Sequence, residues 1–194
     1  MQPKQANQEK RHTWMDRSRE YIEKYFSKFK KLWSTQKRLK ELYEADNFDL
    51  WYEILSYYAP RTWKIHKAIN WKDIAFRVHS EFIRLTKSKK GKCECVTCWL
   101  IDRWYNLQNG HYRTRSHTMT AFLDENCYPQ CYRCNVVLSG NYRSYAIFMI
   151  DKHGKVYEEW IRNNKEQRKI KNYEYQSMIL EWYKHIMYHK SLLD

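Results

Sequence analysis

The chain has few of the residues that interrupt regular structure: four glycines and three prolines in 194 residues. No stretch rich in either marks a linker, and no segment repeats. A run of about 18 apolar residues is absent as well, which argues against a membrane-spanning helix and a membrane partner. Residues Met1 to His12 are polar and basic, without the apolar stretch of a secretory signal. The expectation is a protein that works inside the cell that makes it. In such a reducing compartment six cysteines are metal ligands more often than disulfides.

Acidic residues are in short supply, 22 against 36 lysines and arginines, for a formal net charge of +14. The excess is uneven. Residues 1–44 hold 12 basic and 6 acidic groups, and residues 61–92 hold 10 and 2, whereas the cysteine-rich segment 93–145 is nearly neutral with 5 and 4. A basic excess of this kind points to a polyanionic partner, because phosphate contacts supply affinity without sequence preference. Hydrophobic residues make up 43% and aromatics 17%, enough to build a core, so disorder throughout is excluded. The length suits one ordinary domain with helical extensions.

Several segments carry the three- and four-residue apolar spacing of amphipathic helices. Behind a capping pattern at Thr13-Trp-Met-Asp16, Ile22, Tyr25, Phe26, Phe29, Leu32, Trp33, Leu39, Leu42 and Tyr43 predict helix over about 14–44. A short apolar segment, Phe48 to Tyr58, follows. Asn70-Trp-Lys-Asp73 caps a helix with Ile74, Val78, Phe82 and Leu85 on one face, which runs into the basic loop 87–92. Helices are also expected over 142–150, 155–163 and about 173–189, the last with a stripe of Tyr175, Met178, Ile179, Trp182 and Ile186.

The chemistry lies between these helices. Cys95-Val-Thr-Cys98 and Cys131-Tyr-Arg-Cys134 are two C-x₂-C knuckles separated by 32 residues. Each knuckle aims two thiolates at one point, and two knuckles complete a tetrahedral sulfur site suited to structural Zn²⁺. Cys93 competes with Cys95 only at a less usual spacing, and Cys127 reads as a spare thiol. Between the knuckles, apolar and β-branched residues predict a hairpin over about 105–113 and 118–123, and the second knuckle opens a helix holding Cys131, Cys134 and Asn135. Hairpin and helix bolted by four cysteines make a ββα-metal (HNH-like) arrangement, with a histidine on the first strand facing the helix.

Phosphodiester hydrolysis needs an activated water and charge neutralisation at the phosphate. A neutral imidazole, His111, suits the first task. A catalytic divalent ion, Mg²⁺ or Mn²⁺, suits the second, with the amide oxygen of Asn135 as a ligand. Asn126 is expected to pin the loop that aims His111. Arg113, Arg115, Arg133 and Arg143 are candidates for phosphate contacts near the scissile bond, and Lys87, Lys89, Lys90 and Lys92 for tracking an adjoining duplex arm. For any single one of these charges, a solvated surface position is an equal reading.

The run Cys95-x₂-Cys98, Gly110-His111-Tyr-Arg-Thr, Asn126, Gln-Cys131-x₂-Cys134-Asn135, Ser139-Gly140-Asn141 and Tyr145 resembles the NinG (Rap) recombination protein family of lambdoid phages. The resemblance covers about residues 60–163. It implies a phage or prophage protein of the host cytoplasm, associated with the nucleoid, that cuts branched DNA such as Holliday junctions, D-loops or flaps. The layout is similar, more distantly, to the phage recombination endonuclease VII family, in which an aspartate that binds the metal precedes the active-site histidine. Here Gly110 stands at that position, and Asp124, His117 or Asn141 are the candidates to replace the missing ligand.

The expected fold is therefore α+β and mostly α-helical. A basic N-terminal helical extension (1–60) precedes a zinc-stapled ββα-metal core with its leading helix (61–150) and C-terminal helices (151–194). The expected activity is a metal-dependent, structure-specific DNA endonuclease on branched or double-stranded DNA. A two-fold homodimer would make paired cuts symmetrically. Two other readings stand beside it: a non-catalytic zinc module that binds nucleic acid, kept open by Gly110, and an assembly protein that recruits recombination or replication proteins.

Overall fold

The structure is a computed structural model that describes residues 47–58 and 70–193. The helix expected over 14–44 lies outside the described residues. The chain divides into two units, residues 1–69 and 70–194. In the first, helix α1 (Asn47–Tyr58) takes up the short apolar segment and buries Trp51, Ile54, Leu55 and Tyr58 at steps of three, one and three, the spacing of a single helical face.

The second unit begins at the expected cap. The Asn70 side chain accepts a hydrogen bond from the Asp73 amide at 3.1 Å and starts α2 (Trp71–Thr86). Ile74, Ala75, Val78 and Leu85 are buried along it, but so are His79 and Glu81, so more than one stripe of α2 is covered. Its partner is the last helix, α5 (Asn172–Ser191), introduced by Glu174 accepting from the Lys171 amide at 2.8 Å. Trp182 of α5 packs against His79 and Phe82 with ring centroids 4.6 and 6.2 Å apart, and Lys190 pairs with the buried carboxylate of Glu81 at 2.7 Å. Between α2 and α5 in sequence come α3 (Tyr142–His153) and α4 (Lys155–Asn163).

Two small antiparallel ribbons lie among these helices. β1 (Lys92–Glu94) pairs with β2 (Ile101–Arg103), with Cys93 opposite Asp102. β3 (Gln108–His111) pairs with β4 (Cys127–Gln130), with Gln108 opposite Gln130, Gly110 opposite Tyr128 and His111 opposite Cys127. The architecture is α+β and mainly helical.

The hairpin expected over 105–113 and 118–123 is not formed. Residues 118–123 make no strand, and β3 takes its partner from 127–130. The reason is local hydrogen bonding. From Thr114 to Asn126 the backbone runs through successive tight turns, His117 N to Thr114 O, Thr120 N to His117 O, Leu123 N to Thr120 O and Asn126 N to Leu123 O, all 3.0–3.2 Å. Amides satisfied in this way have nothing to offer a ladder. β4 escaped the pattern because all four of its residues are buried, so it lacks the alternation of a half-exposed strand. The helix expected to open at the second knuckle is a five-residue π-helical turn (Arg133–Val137) that holds Cys134 and Asn135, with Cys131 just before it.

Candidate metal centre and the histidine cluster behind the ribbon

Each knuckle is held by its own backbone. The Cys95 amide donates to Leu100 O and the Trp99 amide to Cys95 O, both at 2.8 Å, closing a tight turn at the end of the β1–β2 ribbon. Trp99 sits in the left-handed region there, with φ +59°. The second knuckle follows β4, where the Asn135 amide donates to Cys131 O at 2.9 Å. The Sγ atoms of Cys95, Cys98, Cys131 and Cys134 all lie within 4.8 Å of one another, and those of Cys98 and Cys131 are 3.7 Å apart. Four thiolates about 2.3 Å from a tetrahedral zinc stand roughly 3.8 Å apart, so the set fits that ion. Burial alone would raise the Cys95 thiol, but hydrogen bonds from Thr97 and the neighbouring cysteines outweigh it and hold it at about 6. Cys93 is outside the cluster: its thiol donates to Arg84 O at 2.8 Å, and burial pushes it up to about 11. Cys95, not Cys93, is the thiol that joins the four-cysteine cluster.

The Ser139-Gly140-Asn141 bend wraps the same centre. All three residues have positive φ, +49°, +91° and +46°. The Gly140 amide donates to Cys134 O at 2.9 Å and the Asn141 side chain donates to Cys134 Sγ at 3.8 Å. The bend therefore turns a backbone and a side-chain donor onto the last cysteine. The Asn141 donor meets the sulfur itself and helps to hold it in place, whereas the Gly140 amide fixes the Cys134 backbone.

His111 is placed on the far side of the β3–β4 ribbon from these groups. Side chains alternate along a strand. Gln108 and Gln130 face the cysteine knuckles, where Gln108 accepts from the Asn135 side chain at 2.7 Å and Gln130 donates to Gly140 O at 2.8 Å. Asn109, His111 and Cys127 face α2. His111 and Asn135, expected to face one another across a catalytic metal, thus have their side chains on opposite faces of the ribbon. His111 packs against Phe76 and His79 of α2, and its Nε2 lies 3.0 Å from Ala121 O. That carbonyl only accepts, so Nε2 carries the proton and Nδ1 the lone pair when this bond is made. Burial, then the adjacent His79, pushes His111 down to about 4, which keeps the imidazole neutral at pH 7.

Around His111 the structure gathers groups that the local sequence pattern did not single out. One ring nitrogen each of His79 and His111 and the Sγ of Cys127 lie within 4.8 Å of one another. His79 is fully buried and held down chiefly by that burial, against the opposing pull of Asp124. Its Nε2 is 3.7 Å from the Asp124 carboxylate, which is half-exposed. Of the three residues weighed as a replacement for the aspartate missing at 110, Asp124 is the one brought to this cluster. His117 is held by Arg113 and Gln167, and Asn141 by Cys134. His79 sits in the apolar run of α2 between Val78 and Phe82. A histidine in such a run, one helix away from a candidate active-site histidine, is the signal that would have found it.

Asn126 ties the 113–126 loop to itself. It is fully buried, accepts from the Arg113 amide at 2.6 Å, and donates to Arg113 O and Thr120 O, both at 2.9 Å. The basic residues divide into two groups. Arg113 is turned inward to Asn164 O, and Lys87 donates to Asp124 O while lying 3.6 Å over the Tyr128 ring. Arg115, Arg133, Arg143, Lys89, Lys90 and Lys92 are exposed. A pocket of about 160 Å³ opens between the end of β3 (residues 111–114), the Ser139–Gly140 bend and Tyr142, Tyr145 and Arg162.

Fold and site together define a small α+β protein built on two knuckles whose four cysteines are able to hold a metal such as zinc. The chain belongs to a bacteriophage family: the one described as Bacteriophage Lambda NinG protein matches residues 56–191. The match reaches through α5, well past the residues whose motifs carry the resemblance. No curated protein and no solved structure is significantly similar to the chain. Among the described residues, no helix is long and apolar enough to cross a membrane.

Proposed function

We propose that this protein is a metal-dependent endonuclease that hydrolyses phosphodiesters in branched recombination intermediates. The observation that carries the reading is the placement of His111 at the end of a ribbon joined to a cysteine centre and beside His79, whose Nε2 lies 3.7 Å from the Asp124 carboxylate. A neutral imidazole has the lone pair that hydrolysis needs, either to take the proton of the attacking water or to bind the cation that activates it. Asp124 offers the oxygen donor that Gly110 cannot. The β3–β4 ribbon and the turn at 133–137 correspond, in this reading, to the hairpin and helix of a ββα-metal core, with Asn135 serving the fold through Gln108 rather than the reaction. Exposed Lys89, Lys90, Lys92, Arg115, Arg133 and Arg143 supply the sequence-independent grip on phosphates expected of a protein that reads DNA shape.

The test is cleavage of labelled Holliday junction, D-loop, flap and linear duplex in the presence of Mg²⁺, Mn²⁺, Zn²⁺ or EDTA. Cuts near the branch that need metal and vanish in His111→Ala, while junction binding survives, are the expected outcome. Tight junction binding with no cuts under any metal would replace this reading by that of a non-catalytic DNA-binding accessory protein.

A further inference from the structure

We propose that His79, His111 and Cys127 form a second metal site, separate from the four-cysteine centre, that takes a zinc-class divalent ion. Three elements distant in sequence, α2, β3 and β4, each contribute one donor, and the three donor atoms lie within 4.8 Å of one another. A buried histidine or a buried cysteine alone is ordinary core. What sets this group apart is how the remaining polar atoms are arranged.

Nε2 of His79 is buried with no partner inside hydrogen-bond distance, the Asp124 carboxylate standing 3.7 Å away, and Oδ1 of Asn109 is buried without a partner. The Asn109 amide stands 3.5 Å from Nδ1 of His79. Rotating that amide by half a turn would bring its orphaned oxygen onto Nδ1. Nδ1 would then carry the proton and Nε2 the lone pair, the arrangement in which metal-binding histidines are held by a neighbouring acceptor. His111 and Cys127 share their support: Nε2 of His111 and Sγ of Cys127 both point to Ala121 O, at 3.0 and 3.7 Å. An ion binding at Cys127 would displace the thiol proton, and the half-exposed Asp124 carboxylate, 3.7 Å from His79 Nε2, would help balance its charge.

The donor set names the ion class. Two imidazoles and a thiolate suit Zn²⁺ or Co²⁺, whereas Mg²⁺ prefers oxygen. Three protein ligands leave a fourth position open, as in catalytic rather than structural zinc sites. The use of the site in hydrolysis rests on the endonuclease reading above: there His111 would serve as ligand rather than as base. Metal binding itself is measured without DNA, so the two stand or fall separately.

The experiment is stoichiometric. Metal-free full-length chain is titrated with Co²⁺ while the visible and near-ultraviolet bands of cobalt bound to thiolate and imidazole are followed. The wild type is expected to take two equivalents, and Cys127→Ala and His79→Gln one each with the spectrum of the all-sulfur centre alone. Mg²⁺ should compete with neither equivalent. Zinc-edge X-ray absorption of the wild type provides a reading that needs no variant: two loaded sites average fewer than three sulfurs per zinc, one loaded centre averages four. Saturation at one equivalent in the wild type, four sulfurs per zinc, or an undiminished second equivalent in folded Cys127→Ala would each overturn the site. Cleavage by a protein that binds a single zinc would retain the endonuclease and remove this inference.

Discussion

A side-chain carbon added to Gly110 would lie 2.1 Å from Oε1 of Gln130, and 2.6 and 2.7 Å from its Cδ and Cγ. The φ of Gly110 is not positive, so the glycine answers to space and not to backbone strain. Gln130 is fully buried and anchored by its amide nitrogen to Gly140 O and Thr97 Oγ1, so it cannot step aside freely. At this position the ribbon has a glutamine lying across the strand. Gly110→Ala is expected to cost about 1–3 kcal/mol through overpacking. In a double-mutant cycle with Gln130→Ala, the two losses should sum to more than the double variant shows. Strict additivity in urea unfolding would mean the two side chains do not compete for this space.

The loop from 112 to 126 depends on one amide. Asn126→Ala removes, from a fully buried side chain, the acceptor of the Arg113 amide and the donor to two carbonyls, of which the bond to Thr120 O is itself buried. Leaving such groups unpaired costs about 2–4 kcal/mol. Asn126→Asp keeps the acceptor and loses the donors, and should fall between the wild type and alanine. Thermal unfolding that ranks the aspartate variant as the less stable would show that the acceptor matters least.

Metal removal should unfold more than the knuckles. Cys95, Cys131 and Cys134 share a buried cluster with Cys93 and Leu107, against which Trp104 packs. Cys134→Ser, or chelation of the wild type at neutral pH, is expected to lose one metal equivalent together with the near-ultraviolet dichroism of Trp104. An unchanged melting curve after stripping would exclude a structural role for this centre.

The lysines of the 87–92 loop should behave differently from one another. Lys87 is engaged with Asp124 O and the Tyr128 ring, and Lys89, Lys90 and Lys92 are exposed. Replacing the exposed three with alanine is expected to weaken junction binding and to reduce the slope of log affinity against log salt, by up to about 0.9 per lost phosphate contact. Lys87→Ala should instead lower stability and leave the slope alone. Equal slopes for wild type and the triple variant would place the DNA elsewhere.

Features set by neighbours in the chain were legible before any fold was known. The two cysteines of each C-x₂-C pair converge because a knuckle is a local turn. Asn70 caps α2 because its side chain reaches an amide three residues on. The stripe from Tyr175 to Ile186 is buried because helical spacing puts it on one face. The importance of Asn126 was also within reach, since its partners lie within 13 residues.

Pairing and facing were not legible, because they depend on which distant segments meet. Nothing local says that β3 takes residues 127–130 as its partner across a run of tight turns, or that a fully buried strand containing Pro129 is a strand at all. That choice of register sets His111 opposite Cys127, turns both toward His79, and sends Asn135 and Gln130 to the other face. The sequence by itself determined the four cysteines that cluster, the helices among the described residues and the basic charge. Only the tertiary structure decided what His111 faces, because side chains alternate along a strand and the neighbours on each face come from elsewhere in the chain.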